Sequence, residues 1–416
     1  MIFAIDIFCF LFGLILLLRI IKQVLNGNTN AYTIFSIVFF VFHFPSLLID
    51  HLIDNGAFVF FDKPVLYKAL TDSTVAVVYD ISICIILYVL YYQSKKRCNK
   101  KFSIIKKIIQ NIQFSPVINM FLLFGMIVPL ICVQLAPNPY IYTQWAYTYR
   151  YNISFLEELY HNNVMANALY LSFFCVVIYA VQKKKYSFII YNVIVLITWL
   201  SFKRTLLVFA VLILIFIDFF KDRFSLRPHK TIFKSIILVF SCIWYFIFYS
   251  LNTGKLVDAP FYYSYTLYYS RHYCVKAAIL DQLNGMSMLH YRGESILFDL
   301  FFYIPREYWP NKPSVFTAYL SNYCQGKSID SPTTVFYYSN IWTEFIANFH
   351  LIGIVIAFLF INFVMNLTEK SKNNYAYVFG VLFIVFYSFW GIQPLTMLIE
   401  VIWIICLVIG KFSIKK

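Results

Sequence analysis

Long runs of apolar residues separated by short polar segments dominate the chain. A helix needs roughly 17–25 mostly apolar residues to cross the hydrocarbon of a bilayer, and runs of about this length recur from the first residue onward. The pattern predicts about eleven membrane-spanning helices, with ten to twelve possible because two pairs are separated by one or two residues. The predicted helices are 2–21, 32–52, 74–93, 115–136, 164–182, 187–202, 205–220, 231–251, 346–366, 375–391 and 393–410.

Composition supports this interpretation. Of the 416 residues, 61% are hydrophobic and only 13% are charged, whereas a soluble domain carries about 25% charged residues. So much apolar surface requires lipid as the solvent. The first run, MIFAIDIFCFLFGLILLLRII, is too long for the hydrophobic region of a signal peptide and no cleavage pattern follows it. We therefore expect an all-α polytopic integral membrane protein that retains its first helix.

The distribution of Lys and Arg predicts the orientation of the helices. The loops on one side and the C-terminal tail hold 20 of the 34 Lys and Arg residues, although they are short, and the alternate loops hold 12. Cytoplasmic loops are the ones enriched in Lys and Arg, so the N-terminus is expected outside and the C-terminus inside. The net charge of +15 is thereby explained by topology, and we expect no nucleic acid as a partner.

One connection, 252–345, is far longer than the others. It divides the chain into transmembrane helices in 1–251, a large extracytoplasmic loop and C-terminal helices in 346–416. Connections longer than ~12–15 residues are usually functional or disordered, and the many aromatic residues here favour a packed structure. Residues 293–303 are predicted to form an amphipathic helix that the Ile304-Pro305 step ends.

The nine cysteines contain no CxxC pair and no Cys/His cluster at metal-ligand spacing, so no metal site is expected. Cys274 and Cys324 lie in the same long loop. They are candidates for a disulfide if that loop faces an oxidising compartment.

The segment FYIPREYWPNKP, residues 302–313, places Arg306 and Lys312 among prolines and aromatic residues. Proline restricts the backbone, so both cations are expected in defined positions. Such a pair suits the binding of a phosphate or diphosphate and its stabilisation as a leaving group. An equally good interpretation is that Arg306 and Trp309 anchor the loop to the membrane surface.

A second candidate is SFKRT, in which Lys203 and Arg204 form a minimal turn on the predicted outer side. Cations there oppose the usual charge bias, so they are expected to meet an anionic headgroup or to snorkel from the helix ends. Arg150 lies in the preceding outer loop. It is expected either to reach the same site or to pair with Glu157 or Glu158.

The two ends of the long loop carry further candidates. Arg271 and His272 follow an aromatic run at its start, and Glu344 and Asn348 are four residues apart where the next helix begins, so they share one helix face. Glu344 is a candidate general base, or a partner for an arginine of the loop. Three histidines are alternative bases, although a single histidine is more often structural: His272, His290 and His350.

With these motifs in place, the chain resembles the Wzy-type O-antigen or oligosaccharide repeat-unit polymerases. The likeness rests on the Lys-Arg turn, on G-x-S followed by IPRE-x-WP-x-KP, and on T-E-x-x-A-N-F-x-x-x-G-I at the next helix. It is best across 285–365, and the size and helix layout agree over the whole chain. The N-terminal third has no diagnostic residue, and His350 stands where a small or apolar residue is expected.

The resemblance implies a GT-C-like membrane glycosyltransferase of the bacterial inner membrane that acts in polysaccharide biosynthesis, for lipopolysaccharide, capsule or exopolysaccharide. The growing glycan moves from undecaprenyl diphosphate to the sugar of a new lipid-linked unit, with no metal or other cofactor. Expected partners are the lipid-linked glycan, the bilayer, a chain-length regulator and a flippase.

The same resemblance suggests roles for the candidate residues. Arg306, Arg204 and Arg271 are expected to stabilise the leaving diphosphate, with help from Lys203 and Lys312, and Glu344 or His272 is expected to act as the base. Further substrate-binding residues are expected to be Arg292, Arg150, Trp309 and Asn348.

Two other functions remain open at this stage. An O-antigen ligase, which moves glycan from the same lipid to lipid A core or protein, shares the layout. A polysaccharide transporter or flippase is kept open by acids inside predicted helices: Asp6, Asp50, Asp80, Asp218 and Glu400.

Overall fold

The structure is a computed structural model, and its described residues form helices, turns and irregular segments without a strand. The described residues are 2–26, 28–52, 56–97, 115–143, 153–181, 187–201, 237, 240, 244, 262–263, 265–285, 287–332, 337–371, 373–391 and 394–412. The chain divides into two compact units, one formed by Met1–Asn99 with Val257–Lys416 and the other by Lys100–Leu256.

We number the described α-helices in chain order. They are α1 Ile2–Leu25, α2 Ala31–His43, α3 Ser46–Leu52, α4 Pro64–Thr71, α5 Ser73–Lys96, α6 Pro116–Gln134, α7 Phe155–Tyr160, α8 Ala166–Val181, α9 Ser187–Ser201, α10 His272–Leu283, α11 Glu294–Leu300, α12 Phe316–Cys324, α13 Ile341–Phe349, α14 Gly353–Lys370, α15 Asn374–Trp390 and α16 Pro394–Phe412.

Six helical stretches of the described chain are long and apolar enough to cross a membrane, which makes this a helical multi-pass membrane protein. They are Phe3–Val24, Ala31–Leu52, Ser73–Lys96, Pro116–Gln134, Phe155–Ala180 and Ile341–Lys370, and shorter apolar helices lie at Asn192–Ser201, Ala376–Phe389 and Ile399–Val408. The predicted helix 205–220 lies outside the described residues, as does 231–251 apart from three helical positions. The count of eleven spans and the orientation stay predictions.

Two predicted spans are interrupted in the structure. The span 32–52 divides between α2 and α3 at Phe44-Pro45, because Pro45 has no N–H to continue the helix. The hydroxyl of Ser46 donates to the carbonyl of His43 across this break, at 2.6 Å. The span 346–366 begins earlier than predicted, as α13, and its α13–α14 junction contains His350 with a φ of 62°.

In the first unit, the part of the long segment that forms α10 lies among the helices. Helix α10 packs against α4, α5 and α13, and every side chain from His272 to Gln282 is buried. The amphipathic helix predicted at 293–303 is present as the shorter α11, which follows Gly293 in the left-handed conformation with a φ of 90°. The long segment is thus packed at α10, and its position outside the membrane stays a prediction.

The predicted disulfide is not formed. Cys274 and Cys324 are buried free thiols. The Cys274 thiol instead donates to the carbonyl of Arg271 at 2.7 Å and lies 3.2 Å from the Asn340 amide nitrogen, which donates to it. The sulfur of Cys274 thus bonds at the start of α10 and at the residue before α13.

The second unit has a core built from the apolar faces of α6, α8 and α9. Gly125 allows α6 and α8 to approach closely, because a Cβ added there would lie 2.4 Å from the sulfur of Cys175. The Ser172 hydroxyl of α8 donates to the Met126 carbonyl at 2.9 Å. This bond joins α8 to α6 at the level of their close approach.

Candidate functional site

A hydrogen-bonded junction joins α11 to α13. The carbonyl oxygen of the Asn348 side chain accepts from the amide of Gly293 at 2.9 Å, and its nitrogen donates to the hydroxyl of Ser295 at 2.8 Å. The same nitrogen donates to the Glu344 carbonyl at 2.7 Å. Glu344 and Asn348 thus share the face of α13 that packs on α11, as their spacing predicts.

Two carboxyl groups meet at this junction. The carboxyl of Asp299, on α11, lies close enough to that of Glu344 for each to affect the pKa of the other, and the two form what we call the carboxyl pair. Glu344 is buried, and its Oε1 has no hydrogen-bond partner in the part of the chain that the structure describes. Burial and then the charge of Glu344 raise the pKa of Asp299. Two carboxyls this close cannot both ionise readily.

The turn after α11 is closed by Arg306. One terminal nitrogen of its guanidinium donates to the carbonyl of Lys312 at 2.7 Å, and the other donates to the carbonyl of Pro313 at 3.1 Å. Arg306 is nevertheless exposed, and a guanidinium has five N–H donors. The two bonds to backbone carbonyls hold the guanidinium in place, so the other N–H donors of Arg306 have fixed positions at the surface.

The buried side chain of Lys312 also bonds to the backbone of this turn. Its ammonium donates to the carbonyls of Phe302 at 2.6 Å and Ile304 at 2.8 Å, and it lies 5.0 Å from the centre of the Phe298 ring. The side chain is buried. Lys312 is thus placed to hold the backbone of the turn, and binding of a phosphate by it stays a prediction.

Large apolar side chains are exposed around Arg306. We call this the aromatic surface, and it consists of Leu300, Phe301, Phe302, Tyr303 and Tyr308. Trp309 is half-buried and meets the ring of Phe301 edge-on, with 6.3 Å between ring centres. A contiguous exposed apolar patch usually marks contact with a membrane, a ligand or a partner, and aromatic residues favour the membrane interface.

A second cluster of charges lies at the start of α10. One carboxylate oxygen of Asp50 is 2.9 Å from the ammonium of Lys276, and the other is 3.3 Å from Nε2 of His272. The hydroxyl of Tyr262 donates to Asp50 at 3.1 Å. These four side chains form what we call the ion cluster.

Opposite charges compensate one another in the ion cluster. Burial disfavours the charged form of Lys276, but the adjacent Asp50 outweighs it and the pKa of Lys276 is raised. Burial lowers the pKa of His272 against the opposing effect of Asp50. His272 is completely buried. Its role as a base stays a prediction, and it requires the substrate to enter between the packed helices.

Arg271 is buried beside the ion cluster. Its backbone is left-handed, with a φ of 53°. Its guanidinium donates to the carbonyl of Phe389 and lies 4.4 Å from the centre of the Tyr338 ring. Burial lowers the pKa of Arg271 to about 10. Its binding of a diphosphate stays a prediction.

The two other candidate bases occupy different environments. Nδ1 of His290 is 3.0 Å from Glu294, its Nε2 is 2.8 Å from Asp330, and the hydrogen bond with Glu294 raises its pKa. His350 lies at the junction between α13 and α14. Neither histidine is among the described contacts of the carboxyl pair.

The structure thus groups most of the predicted site residues around α11. Those at or next to this helix are Arg292, Arg306, Trp309, Lys312, Glu344 and Asn348. Arg271 and His272 belong to the separate region at the start of α10. Arg150, Lys203 and Arg204 lie outside the described residues.

Sequence reasoning missed Asp299 and Lys276. Asp299 is a lone acid in the apolar run ILFDLFF. An acid is seldom buried without a partner, so this position indicates a paired side chain. Lys276 follows His272 by four residues, which places both on one helix face. Both signals were present in the sequence, but only the fold shows that Glu344 and Asp50 are the partners.

Among the described residues, no group of three or more His, Cys, Asp or Glu side chains is arranged to hold a metal ion. No protein-family model, curated protein or solved structure matches the chain.

Proposed function

We propose that this protein is a polymerase of lipid-linked oligosaccharide repeat units. It would transfer the growing glycan from undecaprenyl diphosphate to a sugar hydroxyl of a new unit on the same lipid. The observation that carries the proposal is the position of the carboxyl pair. Asp299 and Glu344 lie in and beside α11, whose last residue begins the exposed aromatic surface around Arg306.

In the proposed reaction, the acceptor hydroxyl oxygen forms a bond to the anomeric carbon of the donor sugar. The bond from that carbon to the diphosphate oxygen breaks, and the diphosphate leaves with the electron pair. The proton of the hydroxyl passes to the ionised member of the carboxyl pair. A pair that holds one proton has one carboxylate available as a general base, as the reaction requires.

Arg306 is proposed to face the diphosphate. A guanidinium can bind two phosphate oxygens at once and stabilises negative charge that grows as the bond breaks. The bonds from Arg306 to the carbonyls of Lys312 and Pro313 preorganise it, so little reorganisation is needed during transfer. Arg292 is a second exposed cation, next to Gly293 at the start of α11. Arg204, Lys203 and Arg150 remain proposed contributors.

The test is polymerisation by the purified full-length chain in liposomes. Lipid-linked repeat units extracted from a source strain that lacks the gene serve as both donor and acceptor. A ladder of longer glycans on the lipid, with release of undecaprenyl diphosphate, is expected. Absence of a ladder with a folded, liposome-inserted preparation argues against polymerase activity, and transfer to added lipid A core would identify a ligase instead.

A transporter is the second candidate, and one observation favours it. Asp80, within α5, is buried with no hydrogen-bond partner for either carboxyl oxygen among the described residues, and Asp6, within α1, pairs with His51. Ionisable residues inside membrane helices often mark ion or proton pathways. In the same liposomes, movement of the lipid-linked unit between leaflets without elongation would support this candidate.

A further inference from the structure

A basic cavity lies between the C-terminal ends of α1 and α5. Its volume is about 390 Å³, and four cations are among the residues that line it: Arg19, Lys22, Lys95 and Arg97. The other lining residues are neutral, and they include Gln23, Asn26 and Ser94. Four positive charges with amide and hydroxyl groups around one space suit a phosphate group.

The cations reach the cavity from two packed helices. Arg19 and Lys22 are three residues apart on α1, so they share a face, and α1 packs against α5. The Ser94 hydroxyl donates to the Gln23 side chain at 3.0 Å, which joins the two walls. Lys95 and Lys22 are exposed, so their ammonium groups are accessible to a ligand.

Arg97 is the fixed member of the set. Its guanidinium donates to the side chain of Asn366 and lies 4.7 Å from the centre of the Tyr32 ring. The nearby acid Glu369 does not line the cavity, and its Oε1 accepts from the amide of Ala31 at 2.6 Å. Glu369 thus bonds to the backbone at the start of α2, and the residues that line the cavity carry only positive charge.

The surroundings of the cavity favour a lipid as the source of the phosphate. Both α1 and α5 are candidate membrane spans, so their ends lie at the depth of lipid headgroups. Leu18 and Ile21 of α1 and Tyr88 and Tyr92 of α5 are exposed just before the cavity. An acyl chain can lie along these apolar side chains while its headgroup occupies the cavity, and tyrosines are typical of this interface.

We propose that the cavity binds the phosphate headgroup of an anionic phospholipid. This site is separate from the carboxyl pair and does not depend on the polymerase proposal. Cationic pockets between membrane helices recognise such headgroups through charge and hydrogen bonding. The bound lipid is expected to bridge the ends of α1 and α5 and to stabilise their packing.

The test uses the full-length protein in detergent micelles. Melting temperature and bound lipid, by native mass spectrometry, are followed during titration with phosphatidylglycerol, phosphatidylcholine or inorganic phosphate. Phosphatidylglycerol is expected to bind saturably and raise the melting temperature above both other additions. The double variant Arg19→Gln/Lys22→Gln is expected to bind it about 25-fold more weakly, from about fivefold for each charge.

The matched control is Lys68→Gln/Lys327→Gln, which removes two exposed charges away from the cavity and is expected to keep wild-type binding. Lys95→Gln provides a second cavity variant if the first does not fold. Equal loss in the control, or equal stabilisation by phosphatidylcholine, overturns the site. Equal stabilisation by inorganic phosphate at the same concentration overturns the lipid as its occupant.

Discussion

The carboxyl pair and the ion cluster both contain buried ionisable groups of the first unit. They differ in whether each acid lies beside a base or beside another acid. In the ion cluster, Asp50 contacts two bases, His272 and Lys276. In the carboxyl pair, an acid contacts another acid, with Glu400 close enough to contribute to the raised pKa of Asp299. A base beside a buried acid compensates for the acid's loss of hydration. A second acid does not, and it lowers the stability of the fold unless one of the two carboxyls is protonated. Such uncompensated groups are typical of functional sites.

The comparison leads first to a prediction about stability. Lys276→Met is expected to lower the free energy of unfolding by about 3 kcal/mol, because it leaves the largely buried Asp50 without its ammonium partner. Chemical unfolding of the purified protein measures this loss. The double variant Asp50→Asn/Lys276→Met is expected to recover most of it, since neither charge is left alone. A single variant as stable as the double one would show that the pair is not coupled.

The carboxyl pair is expected to respond in activity instead. Replacing both acids, in Asp299→Asn/Glu344→Gln, should reduce the rate of glycan elongation by about 10²–10⁴-fold, because no carboxylate of the pair then remains to accept the proton. The change should fall on kcat with KM nearly unchanged, while the melting temperature stays close to that of wild type. Glu158→Gln, at an exposed acid of the second unit, is the matched control. Wild-type kcat in this double variant would remove the carboxyl pair from the mechanism.

The pH dependence of stability separates the two regions further. The pKa of Asp299 is raised in the folded protein above its ordinary value of 3.8, so the folded state binds an additional proton above about pH 4. Its stabilising contribution is complete below that pH and is lost as pH rises through the raised pKa.

Between pH 5 and 9, wild type should therefore lose stability relative to Asp299→Asn, by at most about 1.4 kcal/mol per pH unit. Melting curves of the two proteins across this range give the difference. Parallel pH profiles would mean that Asp299 carries no additional proton in the fold.

The smallest effect is expected at Arg306. Arg306→Gln should slow elongation about tenfold, the loss of about one charged hydrogen bond to the leaving group. Arg306→Lys should recover only part of the rate, because an ammonium cannot reproduce the forked contact. Lys327→Gln, another exposed cation of the same segment, should match wild type. Unchanged elongation in Arg306→Gln would assign Arg306 to holding the turn alone.

Local features of the site were predictable because helix geometry alone determines them. The spacing of Glu344 and Asn348 places both on one face, and both side chains do meet α11. The prolines around Arg306 indicated a defined turn, but its closure by backbone carbonyls was not predictable. Those acceptors become available only when the turn folds back on itself.

By itself, the sequence determined the class of protein. Apolar runs must match the thickness of a bilayer and satisfy their own backbone hydrogen bonds, so composition and run length suffice to predict membrane helices. The tertiary structure alone decided the partners of the buried charges. Asp50 and Lys276 are 226 residues apart in the chain, and whether a buried acid meets a base or another acid depends on packing between distant helices.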